Sequence, residues 1–150
     1  FNKFFLPDGM IGDSLPKAIG PDLNGSIGSV PGTDSPGAAK YSELAKAAGF
    51  ESGPYGPESY DAAALIMLAM EAAKSTDSNV FKNNVMDIAN APGEKIYPGE
   101  LSKALKLIKE GKDIDYVGAT ALELVGSGES SGSFAEILID NQKTNKVGYR

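Results

Sequence analysis

Histidine, cysteine and tryptophan are all absent from the 150 residues of this chain. Without cysteine there is no disulfide framework, no thiolate metal site and no cysteine nucleophile. Without histidine the commonest general base and the commonest metal ligand are missing, and a Ser-His-Asp triad cannot form within the chain. Positive charge is scarce as well. Fourteen lysines and arginines stand against 20 acids, for a net charge of −6. That balance disfavours a binder of nucleic-acid phosphates or of anionic lipid, which would want a basic patch. No apolar run reaches the roughly 20 residues a membrane span needs.

What is present is a globular composition at the length of one domain. Hydrophobic residues make up 41% and charged residues 23%, enough for a core that needs no covalent staples. The sequence begins with Phe1 rather than Met and shows no signal peptide. It reads as a processed product or as a piece of a longer chain, and the piece is favoured for the reason given below.

Phe4-Phe5-Leu6 is a short apolar run broken by Pro7-Asp8-Gly9, a strand passing into a turn. Asp13-Ser14 can cap a short helix from Leu15 to Ile19, and Ser26 to Val30 is a thin strand. This strand–helix–strand unit predicts the edge of a parallel sheet. Pro31 to Gly37, PGTDSPG, is the clearest linker.

Four helices are then predicted in succession. Ala38 to Ala48 carries an apolar face, and Tyr55 to Lys74 contains the longest apolar run in the chain. From Ala62 to Ala73 only Glu71 is polar, so that helix is expected to be packed on more than one side. Helices from Val80 to Asn90 and from Gly99 to Glu110 follow. Ile114 to Gly118 reads as a connector and Leu122 to Val125 as a strand. Gly126 to Ser133 reads as a flexible turn and Phe134 to Ile139 as a strand, followed by a turn at Asp140-Asn141-Gln142 and a basic tail. A compact sheet domain rarely places four helices in a row between strands. They look built to cover a sheet coded elsewhere, which is the physical reason for favouring a piece.

Few residues point to chemistry on their own. Gly126-Ser127-Gly128 with Gly132 has the wrong spacing for a dinucleotide fingerprint, and a strand follows where a helix should. Asp8 is either a turn residue chosen for local hydrogen bonding or a carboxylate at a strand's C-terminal end, where open α/β sheets present ligand sites. Tyr55 and Tyr60 are either packing residues with their hydroxyls at a rim or the aromatic walls of a pocket. No constellation supports a catalytic mechanism, and no cofactor or metal is expected.

Phe4-Phe5-Leu6-Pro7-Asp8-Gly9-Met10, Leu15-Pro16, Leu23-Asn24-Gly25 and Pro31-Gly32, taken in order, resemble the C-terminal half of type I periplasmic binding proteins. The nearest subfamily is that of the leucine/isoleucine/valine-binding receptors of ABC transporters. Tyr60-Asp61-Ala62-Ala63 opening an apolar helix fits, as does Ile114-Asp115-Tyr116-Val117-Gly118-Ala119 after a helix ending Lys109-Glu110-Gly111-Lys112. Ala121 and Glu129 depart from the usual glycine and aspartate of that pattern.

The resemblance implies an α/β chain: a fragment of a two-lobed fold of parallel sheets flanked by helices, its N-terminal half missing. It assigns 1–32 to the second lobe and 33–116 to a helical part of the first. Residues 117–150 become a hinge crossing and the last strands of the second lobe. It further implies binding without catalysis, in the periplasm or another extracytoplasmic setting after a signal peptide is removed. The ligand would be an amino acid held between the lobes, and the partners a membrane permease and the missing N-terminal half, with no nucleic acid. Asp8 then matches the acid that receives the ligand's ammonium, Gly9 a place of close backbone approach, and Tyr55 an aromatic beside the ligand side chain. Tyr60 goes with them, chiefly as a packing residue. Alternatives are a receptor for an aromatic acid, an amide or a urea-like ligand, and a sensory domain that feeds no transporter. An enzyme comes third.

Overall fold

The structure is a computed structural model that describes residues 3–126 and 128–150. Ser127 of the glycine-rich turn lies outside the described residues. The chain is a mixed α/β structure that divides into two compact units, residues 1–33 with 133–150 and residues 34–132. The second division therefore follows Gly132, whereas the sequence reading set it at 117.

The first unit is built on a four-stranded sheet in the order β1-β2-β7-β8. Strand β1 (Phe5–Leu6) leads through a 3-10 turn, Asp8–Met10, and helix α1 (Ser14–Ile19) to β2 (Ile27–Pro31), which runs parallel to it. The expected unit is present, but β2 is not at an edge. It pairs antiparallel with β7 (Phe134–Asp140), which pairs in turn with β8 (Lys143–Tyr149). The residues read as a basic tail are thus a strand. The cause is the two-residue loop Asn141-Gln142, where both residues have positive φ (51° and 58°), the backbone that closes a tight hairpin. Asp13 precedes α1 but does not cap it with its side chain. Its Oδ1 accepts a hydrogen bond from Thr144 N at 3.0 Å, tying α1 to β8. Leu6, Leu23, Ala135, Ile137 and Ile139 form the core on the helical face of this sheet.

The second unit holds the helices. Helix α2 (Pro36–Ala47) starts inside the proline-rich linker, with the Ser35 side chain capping Ala38 N at 3.2 Å. Helix α3 (Gly56–Ala73) follows. The helix expected from Val80 to Asn90 is broken into α4 (Ser78–Phe81), a 3-10 turn and α5 (Val85–Ala89). Asn83 lies in the break, its Nδ2 donating to Asn79 O at 3.3 Å and Val80 O at 3.2 Å. Side chains that hydrogen-bond nearby carbonyls compete in this way with a continuous helix.

Strands β3 (Glu94–Ile96) and β4 (Ile114–Tyr116) pair in parallel, joined by α6 (Leu101–Lys109). Both strands are missing from the sequence reading, which had a connector at 114–118. Each is three residues long with a charged residue at its centre, Lys95 or Asp115, so neither alternation nor an apolar run stands out. The helices therefore do have a sheet, though a narrow one. Strands β5 (Glu123–Gly126) and β6 (Glu129–Ser131) form an antiparallel pair, so the stretch read as a flexible turn contains a strand. Asn90 ties β5 down from both sides, accepting from Leu124 N at 2.9 Å and donating to Leu124 O at 2.8 Å.

The core of this unit contains Ala64, Leu65 and Leu68 from α3, Ile96, Ala104 and Tyr116. The expectation that α3 is packed on more than one side is not met among the described residues. Asp61, Ala64, Leu65, Leu68 and Ala69 are buried, while Ala62, Ala63, Ile66 and Met67 are exposed. A helix apolar all round has here been given a single partner face.

Candidate functional site

The concave feature of the second unit lies where α2 meets the entrance of α3. Tyr41 and Leu44 from α2, Phe50 and Pro54 from the connecting loop, and Tyr55 and Tyr60 at the start of α3 border an open hollow of about 640 Å³. A second hollow of about 620 Å³ shares Tyr41 and Phe50 and adds the polar groups of Lys46, Glu51 and Ser52. The volumes match those of small-molecule sites.

The polar tips of two of these tyrosines are already engaged. Tyr41 shares a hydrogen bond with Ser52 Oγ at 3.0 Å, and Tyr60 accepts from Gly99 N at 3.1 Å. Their rings meet edge to face, with centroids 5.5 Å apart. What Tyr41 and Tyr60 offer is therefore ring surface, which suits an apolar group. Tyr55 stands at the N-terminal end of α3 and is 43% exposed.

Below this hollow the first turns of α3 carry a carboxylate that sequence reading treated only as a helix-end charge. Asp61 is 2% exposed. Its Oδ1 accepts from the Tyr116 hydroxyl at 2.9 Å and from Ala119 N at 2.8 Å. Its Oδ2 accepts from Thr120 N and Thr120 Oγ1, both at 2.8 Å. Four donors thus satisfy one buried charge and fix the loop after β4 against α3. Burial, followed by the charge of Asp61, pushes the Tyr116 hydroxyl far above its ordinary range, so it serves as a donor. Gly118 has φ +61°, and a Cβ there would lie 2.5 Å from Asp61 Oδ1. The sequence did hold a clue: a lone acid entering an otherwise apolar helix, and a Gly-Ala-Thr loop after a buried strand.

Glu58 lies one turn before Asp61. Its Oε2 is buried without a hydrogen-bond partner among the described residues. Burial, with the nearby charge of Asp61, raises its carboxyl above the usual glutamate value, opposed by a bond to its own backbone. A raised folded value means the neutral form is favoured on folding. The associated stability is complete below about 4.5, the ordinary glutamate value, and is lost as pH rises through the folded value. Glu58→Gln is expected to raise Tm relative to the parent at pH 7 but not at pH 4. Parallel melting curves for parent and variant across that range would sink the assignment.

The other two sequence-predicted residues are in the first unit. Asp8 follows β1 across Pro7 and is exposed. Its Oδ1 accepts from Gly9 N at 2.7 Å, within its own turn, and it has no ion pair among the described residues. A Cβ at Gly9 would meet nothing within 4 Å, so packing inside the chain does not require glycine there. Tyr55 and Tyr60 share one hollow, while Asp8 and Gly9 share one turn of a different unit. No group of three or more acids among the described residues is arranged to hold a metal ion. No helix among them is long and apolar enough to cross a membrane.

No family profile matches this sequence, and no curated protein matches it. Among solved structures, the chain is similar to a leucine-binding protein, LivK, from Thermotoga maritima. The TM-score is 0.67 at 16% sequence identity, over 98% of this chain and 37% of that one. This chain thus spans little more than a third of the length of the structure it matches, and at that identity the likeness establishes the fold: a portion of a type I periplasmic binding protein fold.

Proposed function

We propose that this chain is part of an extracytoplasmic solute-binding protein that takes an amino acid with an apolar side chain and delivers it to the permease of an ABC transporter. The observation that carries this reading is the agreement of nearly the whole chain with part of a leucine-binding protein. Two features of the chain itself support it. Asp8 is an exposed carboxylate following a strand of a parallel pair, and open α/β sheets bind ligands beyond the carboxyl ends of their strands. The hollow by Tyr55 offers aromatic surface whose neighbouring hydroxyls are already engaged, which favours an aliphatic group over a polar one.

In this reading Asp8 accepts charge-assisted hydrogen bonds from the ligand ammonium. Gly9 leaves room for the ligand to come close to the backbone, Tyr55 touches its side chain, and Tyr60 holds the wall. Ligand binding stabilises the liganded form through contacts the unliganded form lacks, and the chain carries out no chemistry of its own.

A thermal-shift screen of the complete gene product tests this. Leucine, isoleucine or valine is expected to raise Tm, because a ligand that binds only the folded state stabilises it. A response to aromatic acids, amides or urea analogues alone would move the protein to a different solute class. No response to any of these compounds overturns the reading. Asp8→Ala is expected to weaken binding of the responding amino acid roughly 10–100-fold, the range for losing a hydrogen bond to a charged group. Calorimetry giving an unchanged Kd would remove Asp8 from the site.

A further inference from the structure

The sheet of the first unit has two faces, and the core of its short helices lies on one. That face carries Leu6, Ala135, Ile137 and Ile139. On the other, Phe5 pairs with Ile27 and Ile27 pairs with Leu138, so these three side chains stand in a row across β1, β2 and β7. Phe5 is 67% exposed and Ile27 52% exposed. At the far end of the same face Pro31 pairs with Phe134, which is also exposed. Three strands at about 4.8 Å spacing span roughly 10 Å, which is the width of one α-helix.

The neighbouring edge is open too. Strand β1 pairs with β2 on one side and with no strand on the other among the described residues. The pairing it does make is parallel. Parallel strands are found almost only in sheets covered on both faces, because the crossovers that join them lay helices on the sheet.

We propose that a helical layer from further sequence of the same polypeptide covers Phe5, Ile27 and Leu138. This rests on the reading that the chain belongs to a longer solute-binding protein. The occupant is argued from two observations. The structure this chain matches extends far beyond the matched 37%, so a protein of that architecture has chain to spare. The open parallel edge of β1 accepts a further strand only together with a crossover, which supplies helix. A second copy of this chain suits the face less well. Glu136 and Asp140 share it, each copy carries a net charge of −6, and two copies placed face to face would leave the β1 edge open.

The test compares Ile27→Lys in the 150-residue chain and in the complete gene product, reading Tm, binding of a hydrophobic dye and mass by light scattering. In the 150-residue chain the parent is expected to bind dye. There Ile27→Lys should reduce dye binding and shift Tm by no more than about 2 °C, as for an exposed site. In the complete product the parent is expected to bind little dye, and Ile27→Lys to lower Tm by about 5 °C or more. Equal Tm for parent and variant in the complete product overturns the proposal. So does a gene product that ends where this chain ends and leaves the face open, or a dimer of either form that Ile27→Lys disperses. The amino-acid screen is scored separately. A complete product that ignores amino acids but is destabilised by Ile27→Lys defeats the functional reading and keeps the covered face.

Discussion

Asp61→Ala is expected to destabilise the chain by about 3–5 kcal/mol, the range for removing one partner from a buried charged network. The figure follows from what is left behind. The Tyr116 hydroxyl and the backbone N–H groups of Ala119 and Thr120 all lose their acceptor, and each unsatisfied buried donor costs about 1–3 kcal/mol. Partial entry of water moderates the sum. Domains of this size hold only about 5–15 kcal/mol in total, so Tm should fall by roughly 10 °C or more.

Two further variants separate the network from simple loss of volume. Asp61→Asn keeps the shape but turns one oxygen into a donor facing donors, and should cost nearly as much as alanine. Tyr116→Phe removes one donor of four and should cost only about 1–2 kcal/mol. Denaturant melts measure all three. If Asp61→Asn has the parent's midpoint, the carboxylate is not the organising group of the loop after β4.

The second large effect is expected at Gly37, in the first turn of α2. A Cβ there would lie 1.9 Å from Gly118 O and 3.5 Å from Ala119 Cα. Both are backbone atoms of the loop that Asp61 holds, so no side chain can swing aside. Gly37→Ala must push α2 away from that loop or tear the loop from Asp61. Overpacking of this kind costs about 1–3 kcal/mol where neighbours can yield and more where they cannot. About 3 kcal/mol or more is expected here. Gly53→Ala is the matched control, because a Cβ at Gly53 meets nothing within 4 Å. A Gly37→Ala variant that melts with the Gly53→Ala control would show that α2 and the loop are not in this contact.

The two effects describe one joint. Asp61 on α3, the 118–120 loop after β4 and the start of α2 meet within a few ångströms. Tyr41, Ala45 and Ala119 form a small core beside it, with Tyr60 packed against them. The hollow that Tyr55 borders thus has a wall fixed by a buried carboxylate, so the position of Tyr60 depends on a residue that touches no ligand in any reading given above. Glu58, one turn away and imperfectly satisfied, is a weak point of the same entrance.

Much of this protein was determined by local sequence. The apolar run of β7, the caps and breakers around α2 and α6, and the long apolar stretch of α3 are visible because periodicity and turn chemistry act within ten residues or so. The α/β class and the turn that presents Asp8 come from the same level. Tertiary structure decided the rest, where the cause lies far along the chain. Strands β3 and β4 are three residues each and exist because they pair across 20 residues and are covered by helices. The tail became β8 through two positive-φ residues that no composition rule singles out. Asp61 reads as a helix-end charge until a loop 58 residues later brings it four donors. The faces of α3 show the limit from the other side. Its sequence is apolar all round, so it specifies burial, but which face is buried depends on what packs against it, and that information is in other segments of chain.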